Sequence, residues 1–218
     1  MIEQLKNIEY VLFDLDGTVS DSSEGIMKSA DMALKSQNIV VPFDTLTKFI
    51  GPALRVSFSW YTDSVEIRDK MLAVYRERYS EKGWCENKIY NGMPELLRDL
   101  QAKGKHVVLA SAKPEYFCRK IIKYFGVEQY FDFIGGSDMD GKRDDKTVLL
   151  SYVLDNVGNP SPDKVIMIGD RKYDVECAHN HGIKCIGVKY GFSDGDELSS
   201  AGADFIADTV DDLKNMLL

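Results

Sequence analysis

Two aspartates, Asp14 and Asp16, are separated by a single residue and follow an apolar run at Tyr10–Phe13. Two carboxylates this close cannot both stay ionised comfortably unless a cation lies between them or the pKa of one is raised. A bound divalent metal would meet the first condition, and a raised pKa is what a general acid or base needs. The alternative interpretation is that Asp16-Gly17 forms only a turn. The pair is therefore a candidate catalytic or metal site.

A second pair of carboxylates, Asp170 and Asp174, follows the apolar run Val165–Ile168. Residues four apart share a face if a helix has begun. Carboxylate oxygens beyond a strand end are hard ligands that suit Mg²⁺, which takes few protein ligands and keeps several waters. The alternative is that both aspartates only cap the start of a helix. The pattern thus indicates a candidate metal site.

Ser111, Ala112 and Lys113 precede Pro114, a residue that commonly opens a helix. Their backbone amides would then lie near a helix N-terminus, which attracts anions, and the Ser111 hydroxyl adds a donor. A serine in front of a helix is more often only a cap. The segment is a candidate anion site that needs support from its neighbours.

The segment at residues 140–146 contains three cations, Lys142, Arg143 and Lys146. Lysine carries a compact charge that suits neutralising a phosphoryl oxygen. Such a segment is more commonly a solvated charge cluster. Position alone leaves Lys142 and Lys146 as alternatives for the cation of a phosphate site.

Six apolar runs are predicted to be strands, and helical stretches alternate with them. The runs are Tyr10–Phe13, His106–Ala110, Phe131–Ile134, Val165–Ile168, Cys185–Val188 and Asp204–Ala207. Alternating strands and helices are typical of a parallel sheet with right-handed crossovers. Ligands of such sheets bind beyond the carboxyl ends of the strands. Asp14, Ser111 and Asp170 occupy those positions.

The alternation is interrupted between residues 20 and 90, where no strand is predicted. Asp21–Glu24 has the pattern of a helix N-cap with a glutamate at the third helical position, and apolar residues recur at helical spacing after it. These residues are Ile26, Ala30, Ala33 and Leu34, and farther on Met71, Leu72, Tyr75 and Tyr79. We therefore predict a helical cap at residues 20–91, inserted into an α/β core formed by residues 1–19 and 92–218.

Composition argues against several classes of function. The net charge is −8 over 218 residues, and without a basic run such a chain is a poor candidate for nucleic-acid binding. No apolar run approaches the ~20 residues that cross a bilayer, and the N-terminus lacks the pattern of a secretion signal. The four cysteines form no Cys-x-x-Cys pair. We therefore expect reduced thiols in a cytoplasmic protein with no membrane partner.

The four polar groups occur in a characteristic order: Asp-x-Asp-Gly-Thr, a strand-end serine, a lysine and Gly-Asp-x-x-x-Asp. Together they resemble the haloacid dehalogenase superfamily, and within it the phosphoglycolate phosphatase-like group. The supporting stretches are Asp14–Asp21, Ile50–Pro52, Ser111–Glu115 and Ile168–Asp174. The resemblance covers essentially the whole chain. It implies a Rossmann-like three-layer α/β core with a parallel sheet and an inserted helical cap.

The resemblance also implies roles for individual residues. Asp14 would be the nucleophile, and Asp16 would be the acid and base and bind Mg²⁺ through its backbone carbonyl. Ser111 and Lys146 would hold the phosphoryl group. Lys146 is preferred over Lys142 because it immediately precedes a predicted amphipathic helix, as the lysine of the family does. Asp170 would complete the metal site, with Asp174 beside it in support.

The implied activity is Mg²⁺-dependent hydrolysis of a small phosphorylated metabolite through an aspartyl-phosphate. Phosphoglycolate is the first substrate expected and a nucleoside 5′-monophosphate the next, with Ser111, Ala112, Lys113 and Arg55 as binding residues. Arg55 is equally explained as a surface arginine. A sugar-phosphate mutase and a non-catalytic regulator are the alternatives, although Thr18 favours a hydrolase over the related mutases. The protein is expected to be a monomer or a weak homodimer.

Overall fold

A computed structural model describes residues 3–138 and 143–218. The chain divides into two compact units, which are described separately. The core unit comprises Met1–Ser20 and Ile89–Leu218, and the helical unit comprises Asp21–Lys88. The described strands are β1 Tyr10–Phe13, β2 Ser20–Asp21, β3 Lys88–Ile89, β4 His106–Pro114, β5 Phe133–Ser137, β6 Val165–Gly169, β7 Lys184–Val188 and β8 Phe205–Ala207. The described α-helices are α1 Ser23–Lys35, α2 Leu54–Ser59, α3 Val65–Arg78, α4 Met93–Ala102, α5 Glu115–Tyr124, α6 Lys146–Asn156, α7 Lys172–Asn180, α8 Glu197–Ser200 and α9 Val210–Leu217.

The core unit is built on a six-stranded sheet with the order β5-β4-β1-β6-β7-β8. All of its adjacent strands pair in parallel. Every residue of β6 is buried, as expected for a strand covered on both faces. In the register, Phe13 of β1 lies between Leu109 of β4 and Ile168 of β6. The carboxyl ends of these three strands therefore meet at one edge of the sheet.

Helices cover the sheet in a three-layer arrangement. On one face, Leu12, Val108 and Met167 pack with residues of α6 and α7 in a common core cluster. Successive strand residues point to opposite faces, so Val11 and Val107, which are also fully buried, belong to the other face. Helices α4 and α5 pack against β4, and α9 packs against α4. The predicted α/β core is confirmed.

Strand β4 is longer than predicted and continues through Ser111 to Pro114. Its pairing with β5 is irregular between Ser111 and Pro114. Pro114 has an extended backbone and is the N-cap, so α5 begins at Glu115. The α conformation is disfavoured before a proline, which explains why Lys113 stays extended. Residues 111–113 therefore belong to the strand end that precedes the helix.

The helical unit is organised around α1 and α3, which pack against each other. The unit also contains α2, a 3₁₀ helix at Phe43–Phe49 and a π-helical turn at Tyr79–Gly83. The apolar residues predicted for its helices are buried: Ile26, Ala30, Ala33, Leu34, Met71, Leu72, Tyr75 and Tyr79.

Two sequence expectations for the region from residue 20 to residue 90 were wrong. Strands β2 and β3 do occur and form a two-stranded sheet, but each has two residues, too few for a strand pattern. Glu24 does not complete a capping box; instead Lys28 donates to it at 2.6 Å. At the start of α1, the side chain of Asp21 accepts from the backbone amide of Ser23 at 3.0 Å.

Candidate active site

The predicted polar residues of the core unit lie at the carboxyl ends of adjacent strands. Asp14 directly follows β1, Ser111 lies near the end of β4, and Asp170 directly follows β6. Because β1 is paired with both β4 and β6, these residues occupy one edge of the sheet. This is where parallel sheets bind ligands.

Asp14, Asp170 and Asp174 form a buried acidic cluster. Each contributes a carboxylate oxygen, and the three oxygens lie within 4.8 Å of one another. Oδ1 of Asp14 and Oδ1 of Asp170 have no hydrogen-bond partner among the described residues. Buried polar atoms are normally paired, and buried carboxylates repel each other. The cluster therefore has the properties of a cation site.

Backbone amides fix the orientation of two of these carboxylates. The amide of Phe192 donates to Oδ2 of Asp170 at 2.7 Å. The amide of Arg171 donates to Oδ2 of Asp174 at 3.1 Å, within a capping box at the start of α7. Asp170 thus precedes the helix, whereas Asp174 lies in its first turn. The two residues converge because the chain turns between them.

Lys146 is the first residue of α6. Its position is set by the N-cap Asp145, whose side chain accepts from the amides of Thr147 at 2.8 Å and Val148 at 3.1 Å. Nζ of Lys146 lies 3.1 Å from Oδ2 of Asp14 and forms a second ion pair with Oδ1 of Asp174. The structure therefore brings the predicted lysine to the acidic cluster.

Burial and mutual charge perturb the pKa values of this cluster. Burial lowers the pKa of Lys146, but the charges of Asp14 and Asp174 outweigh it and raise that pKa well above 10.5. Burial, with the charges of Asp174 and Asp14, raises the pKa of Asp170 well above 3.8. Burial also raises the pKa of Asp174 to about 6, although Lys146 opposes the shift. One lysine thus does not compensate all three carboxylates.

Asp16 is not a member of the acidic cluster. Its carboxylate Oδ2 pairs with Nζ of Lys113 at 2.8 Å, and both side chains are largely buried. The chain does not stay extended after Asp14: the amide of Gly17 donates to the carbonyl of Ser20 at 2.8 Å. Asp14 therefore pairs with Lys146 and Asp16 with Lys113, and a metal site that includes both residues stays a prediction.

The turn after Asp16 has room for glycine alone. Gly17 has a φ of +82°, and a Cβ atom there would lie 2.0 Å from Oδ2 of Asp170. A side chain at this position would both strain the backbone and displace the carboxylate. Gly17 therefore brings the loop that carries Asp16 against Asp170.

The other predicted residues of the core unit differ in burial. Ser111 is buried, and its Oγ accepts from the amide of Lys113 at 3.4 Å. Ala112 is half-buried beside it. Lys142 lies outside the described residues, so the prediction that Lys146 and not Lys142 contacts the phosphate is not tested against Lys142.

Arg55, the predicted substrate-reading residue, belongs to the helical unit. It lies in the first turn of α2, and its guanidinium pairs with Asp69 at 2.8 Å on the surface. Its role in recognition stays a prediction. An Arg55→Ala variant whose relative activity on different phosphomonoesters equals that of the unmodified protein would refute it.

Sequence reasoning missed the segment after β7, which contacts the site. Besides the Phe192 amide, Gly191 packs so closely that a Cβ atom would lie 2.2 Å from the carbonyl oxygen of Gly17 and 2.6 Å from Oδ2 of Asp170. The available signal was Tyr190-Gly191, one residue beyond the end of an apolar strand. It is weak without knowledge of what the segment contacts.

Three of the four cysteines are buried, and Cys85 is half-buried. The four cysteines, all within the described residues, are free thiols. Burial raises the pKa of Cys177 to about 12, so this thiol stays protonated at neutral pH. Within residues 3–138 and 143–218, the helices are too short or too polar to cross a bilayer.

The donor set of the acidic cluster fits Mg²⁺. All three candidate ligand atoms are carboxylate oxygens, the hard ligands that this ion prefers. Asp16 is not a member of this group, and its predicted contribution through the backbone carbonyl stays a prediction. The uncompensated oxygens of Asp14 and Asp170 would gain a partner from the ion.

Comparison with known proteins gives consistent matches over most of the chain. A family model described as haloacid dehalogenase-like hydrolase matches residues 11–188. A 5′-nucleotidase of Pseudomonas aeruginosa is 40% identical over 190 residues, which cover 86% of each chain. The tyrosine-protein kinase PtkA of Mycobacterium tuberculosis is 34% identical over 212 residues, covering 96% of this chain and 72% of that protein. A phosphoglycolate phosphatase of Vibrio parahaemolyticus is 27% identical over 218 residues, covering 95% of each.

Solved structures share the fold. The crystal structure of a predicted phosphatase from Clostridium acetobutylicum matches with a TM-score of 0.91 and 42% sequence identity. The match covers 95% of this chain and 97% of the other. The resemblance drawn from the four polar groups is therefore confirmed.

Proposed function

Because the chain belongs to the haloacid dehalogenase-like hydrolases, we propose that it is a Mg²⁺-dependent phosphatase of small phosphomonoesters that uses Asp14 as its nucleophile. The phosphatases among its relatives support the predicted class, a phosphoric monoester hydrolase. The observation that carries the proposal is the convergence of Asp14, Asp170 and Asp174 with Lys146 beside Asp14. This arrangement supports Asp14 as the nucleophile, because its carboxylate belongs to the candidate cation site and also contacts a lysine.

In the first half of the reaction, the phosphate of the substrate lies at the edge of the sheet near Lys146 and Ser111. Asp14 attacks phosphorus through a carboxylate oxygen, and Asp16 protonates the departing alkoxide. Lys146 and the Ser111 hydroxyl offset charge on the equatorial oxygens, where electrostatic stabilisation dominates phosphoryl transfer. Mg²⁺ held by Asp14, Asp170 and Asp174 would supply further charge neutralisation at these oxygens.

In the second half, Asp16 is ionised and accepts a proton from water. The water attacks phosphorus, and the bond to Asp14 breaks to release inorganic phosphate. Asp16 must leave Lys113, with which it pairs at 2.8 Å, or keep that contact through one of its two oxygens. The other oxygen, Oδ1, has no partner among the described residues and is available for the proton.

A release assay on a panel of phosphomonoesters tests the proposal. A nucleoside 5′-monophosphate is the favoured substrate class, because the 5′-nucleotidase is 40% identical to the chain and the phosphoglycolate phosphatase is 27% identical. Phosphate release should require Mg²⁺, stop when a chelator is added and resume when Mg²⁺ is restored. Transfer of phosphate to another position of a sugar without release would indicate a mutase. The absence of turnover on the whole panel would refute the proposal.

An Asp14→Asn variant tests the nucleophile. The amide keeps the size of the side chain but cannot form the acyl phosphate, so we expect a loss of at least about 10⁴-fold in kcat with the fold preserved. Asp132→Asn is a matched control, because Asp132 pairs with His106 on the surface and should not affect turnover. An Asp14→Asn enzyme with near-normal kcat would exclude this mechanism.

The similarity to a tyrosine-protein kinase supports a second candidate, transfer of a phosphoryl group from ATP to a tyrosine hydroxyl. Lys146, together with Mg²⁺ held by the same carboxylates, would offset the charge of the γ-phosphate, and the acceptor would be tyrosine instead of water. Incubation with labelled ATP and Mg²⁺ separates the two. Label in phosphotyrosine would establish the kinase activity, whereas label found only in inorganic phosphate would support the phosphatase.

A further inference from the structure

The segment after β7 contacts the loop that follows Asp14. The hydroxyl of Tyr190 donates to the backbone carbonyl of Thr18 at 3.1 Å. Thr18 is fully buried, so its carbonyl has little access to water and depends on a protein donor. Two residues farther on, the amide of Phe192 donates to Asp170 at 2.7 Å. One short segment thus contacts both the loop and the metal-site carboxylate.

From these contacts we propose that Tyr190 is a positioning residue: through its hydrogen bond to Thr18 it fixes the Asp14–Thr18 loop against Asp170, and so sets the geometry of the proposed Mg²⁺ and phosphate site. The inference rests on the proposed function. Tyr190 acts through the backbone, and no direct contact with substrate is assigned to it.

Two contacts of Tyr90 support the hydrogen bond of Tyr190. The amide of Tyr90 donates to the carbonyl of Val19 at 3.1 Å, so the consecutive carbonyls of Thr18 and Val19 both accept hydrogen bonds. The rings of Tyr90 and Tyr190 meet edge to face, with centroids 4.9 Å apart and an angle of 69°. Such aromatic contacts fix ring orientation, and here they hold the Tyr190 hydroxyl toward Thr18.

Close packing makes the contact stiff. Gly191 leaves no space for a Cβ atom between the Gly17 carbonyl and Asp170. Packed interiors transmit small displacements because they contain few voids. A shift of Tyr190 would therefore move the loop or Asp170, and the distance between Asp14 and Asp170 would change.

A Tyr190→Phe variant tests the proposal because it removes the hydroxyl and keeps the ring. Mg²⁺ binding to the metal-free protein is measured by titration calorimetry without substrate. We expect about three- to tenfold weaker binding, the range of one hydrogen bond. Turnover should show a fall in kcat with KM changed less. Hydrogen exchange at the amides of residues 17–19 should accelerate.

Tyr152→Phe is the matched control. Its hydroxyl donates to Glu115 at 3.3 Å. The substitution therefore also removes a tyrosine hydroxyl from the core unit, but the hydrogen bond that is lost does not involve the Asp14–Thr18 loop. It should leave Mg²⁺ affinity and exchange at residues 17–19 unchanged. If Tyr190→Phe does not fold, Tyr90→Leu removes the supporting ring and should give the same changes.

Unchanged Mg²⁺ affinity together with unchanged exchange at residues 17–19 in Tyr190→Phe would refute the positioning role. This outcome differs from failure of the proposed function, which would appear as full turnover in Asp14→Asn. If Asp14→Asn is inactive and Tyr190→Phe matches the unmodified protein, only the positioning role is wrong.

Discussion

The ammonium group of Lys146 is shared by two buried carboxylates: it lies 3.1 Å from Asp14 and also pairs with Asp174. Asp170, the third member of the cluster, has no such ion pair among the described residues and accepts a backbone hydrogen bond from Phe192. The uneven distribution of one cation over three carboxylates leaves net negative charge at the edge of the sheet. A divalent cation would balance that charge.

Replacing Lys146 by Met should reduce both stability and activity. Removing one partner of a buried ion pair costs about 3–5 kcal/mol, because the remaining charges lose their compensation. The loss of a positive group at the phosphoryl oxygens should lower kcat by at least about 100-fold. Urea unfolding and phosphate release measure the two effects.

Lys146→Arg and Lys164→Met are controls for this experiment. Arginine keeps the charge but replaces a compact ammonium group by a planar fork, so stability should recover more than kcat. Lys164 pairs with Glu9 on the surface, and its loss should have little effect on either quantity. A Lys146→Met enzyme with normal kcat would contradict the assigned role.

Asp170→Asn should stabilise the metal-free protein and abolish its stabilisation by Mg²⁺. The substitution removes an uncompensated buried charge, whose cost is visible in the raised pKa of Asp170, and Asn still accepts from the Phe192 amide. In the unmodified protein, Mg²⁺ at about 100 times its Kd should add about 2.7 kcal/mol of stability. Thermal unfolding with and without Mg²⁺ measures both effects, and an equal Mg²⁺ shift in the two proteins would exclude Asp170 as a ligand.

The core sheet and the positions of the acidic residues could be predicted from the sequence because both depend on where buried strands end. Asp14 and Asp170 directly follow buried strands, and parallel strands end at a common edge. Two-residue strands such as β2 and β3 carry no recognisable pattern. Strand-end positions are therefore readable from sequence, whereas very short pairings are not.

Contacts between side chains that are far apart in the sequence could not be predicted either. Tyr190 contacts Thr18 across 172 positions of the chain, and the pairing of Lys113 with Asp16 depends on how far β4 extends. Local propensity does not determine either contact. The first could be inferred only once the segment after β7 had been placed beside the Asp14 loop.

Lys113→Met should lower turnover by releasing Asp16 from its ion pair. A general acid contributes through its position as well as its protonation, and loss of its orientation should reduce kcat by up to about 100-fold. Lys123→Met, in the last turn of α5, serves as a control and should retain full activity. Steady-state kinetics that give the same kcat for both variants would show that the pairing has no catalytic role.

The acid stability of the protein should depend in part on Glu86 in the helical unit. Arg78 donates to both oxygens of Glu86 at 2.8 and 3.0 Å, and these bonds lower the pKa of Glu86 although burial opposes the shift. A lowered folded pKa adds stability above the unfolded value of about 4.3, and this stability is lost as the pH falls through the folded pKa. Glu86→Gln should therefore be less stable at neutral pH and lose less stability in acid.

Urea unfolding at neutral and acid pH measures this dependence. Glu66→Gln is the control, because Glu66 forms an exposed pair with Lys70 and surface pairs add little stability. Its pH dependence should match that of the unmodified protein. If Glu86→Gln also matches it, the Arg78–Glu86 pair does not contribute to acid sensitivity.

The most direct test of the account is to trap the intermediate during turnover. The enzyme is mixed with Mg²⁺ and its best substrate from the panel, quenched in acid, digested and analysed by mass spectrometry. We predict a phosphoryl group on Asp14 of the unmodified enzyme and none in Asp14→Asn. A phosphoryl group on another residue, or turnover without any phosphorylated peptide while added phosphopeptide standards survive the quench, would contradict the account.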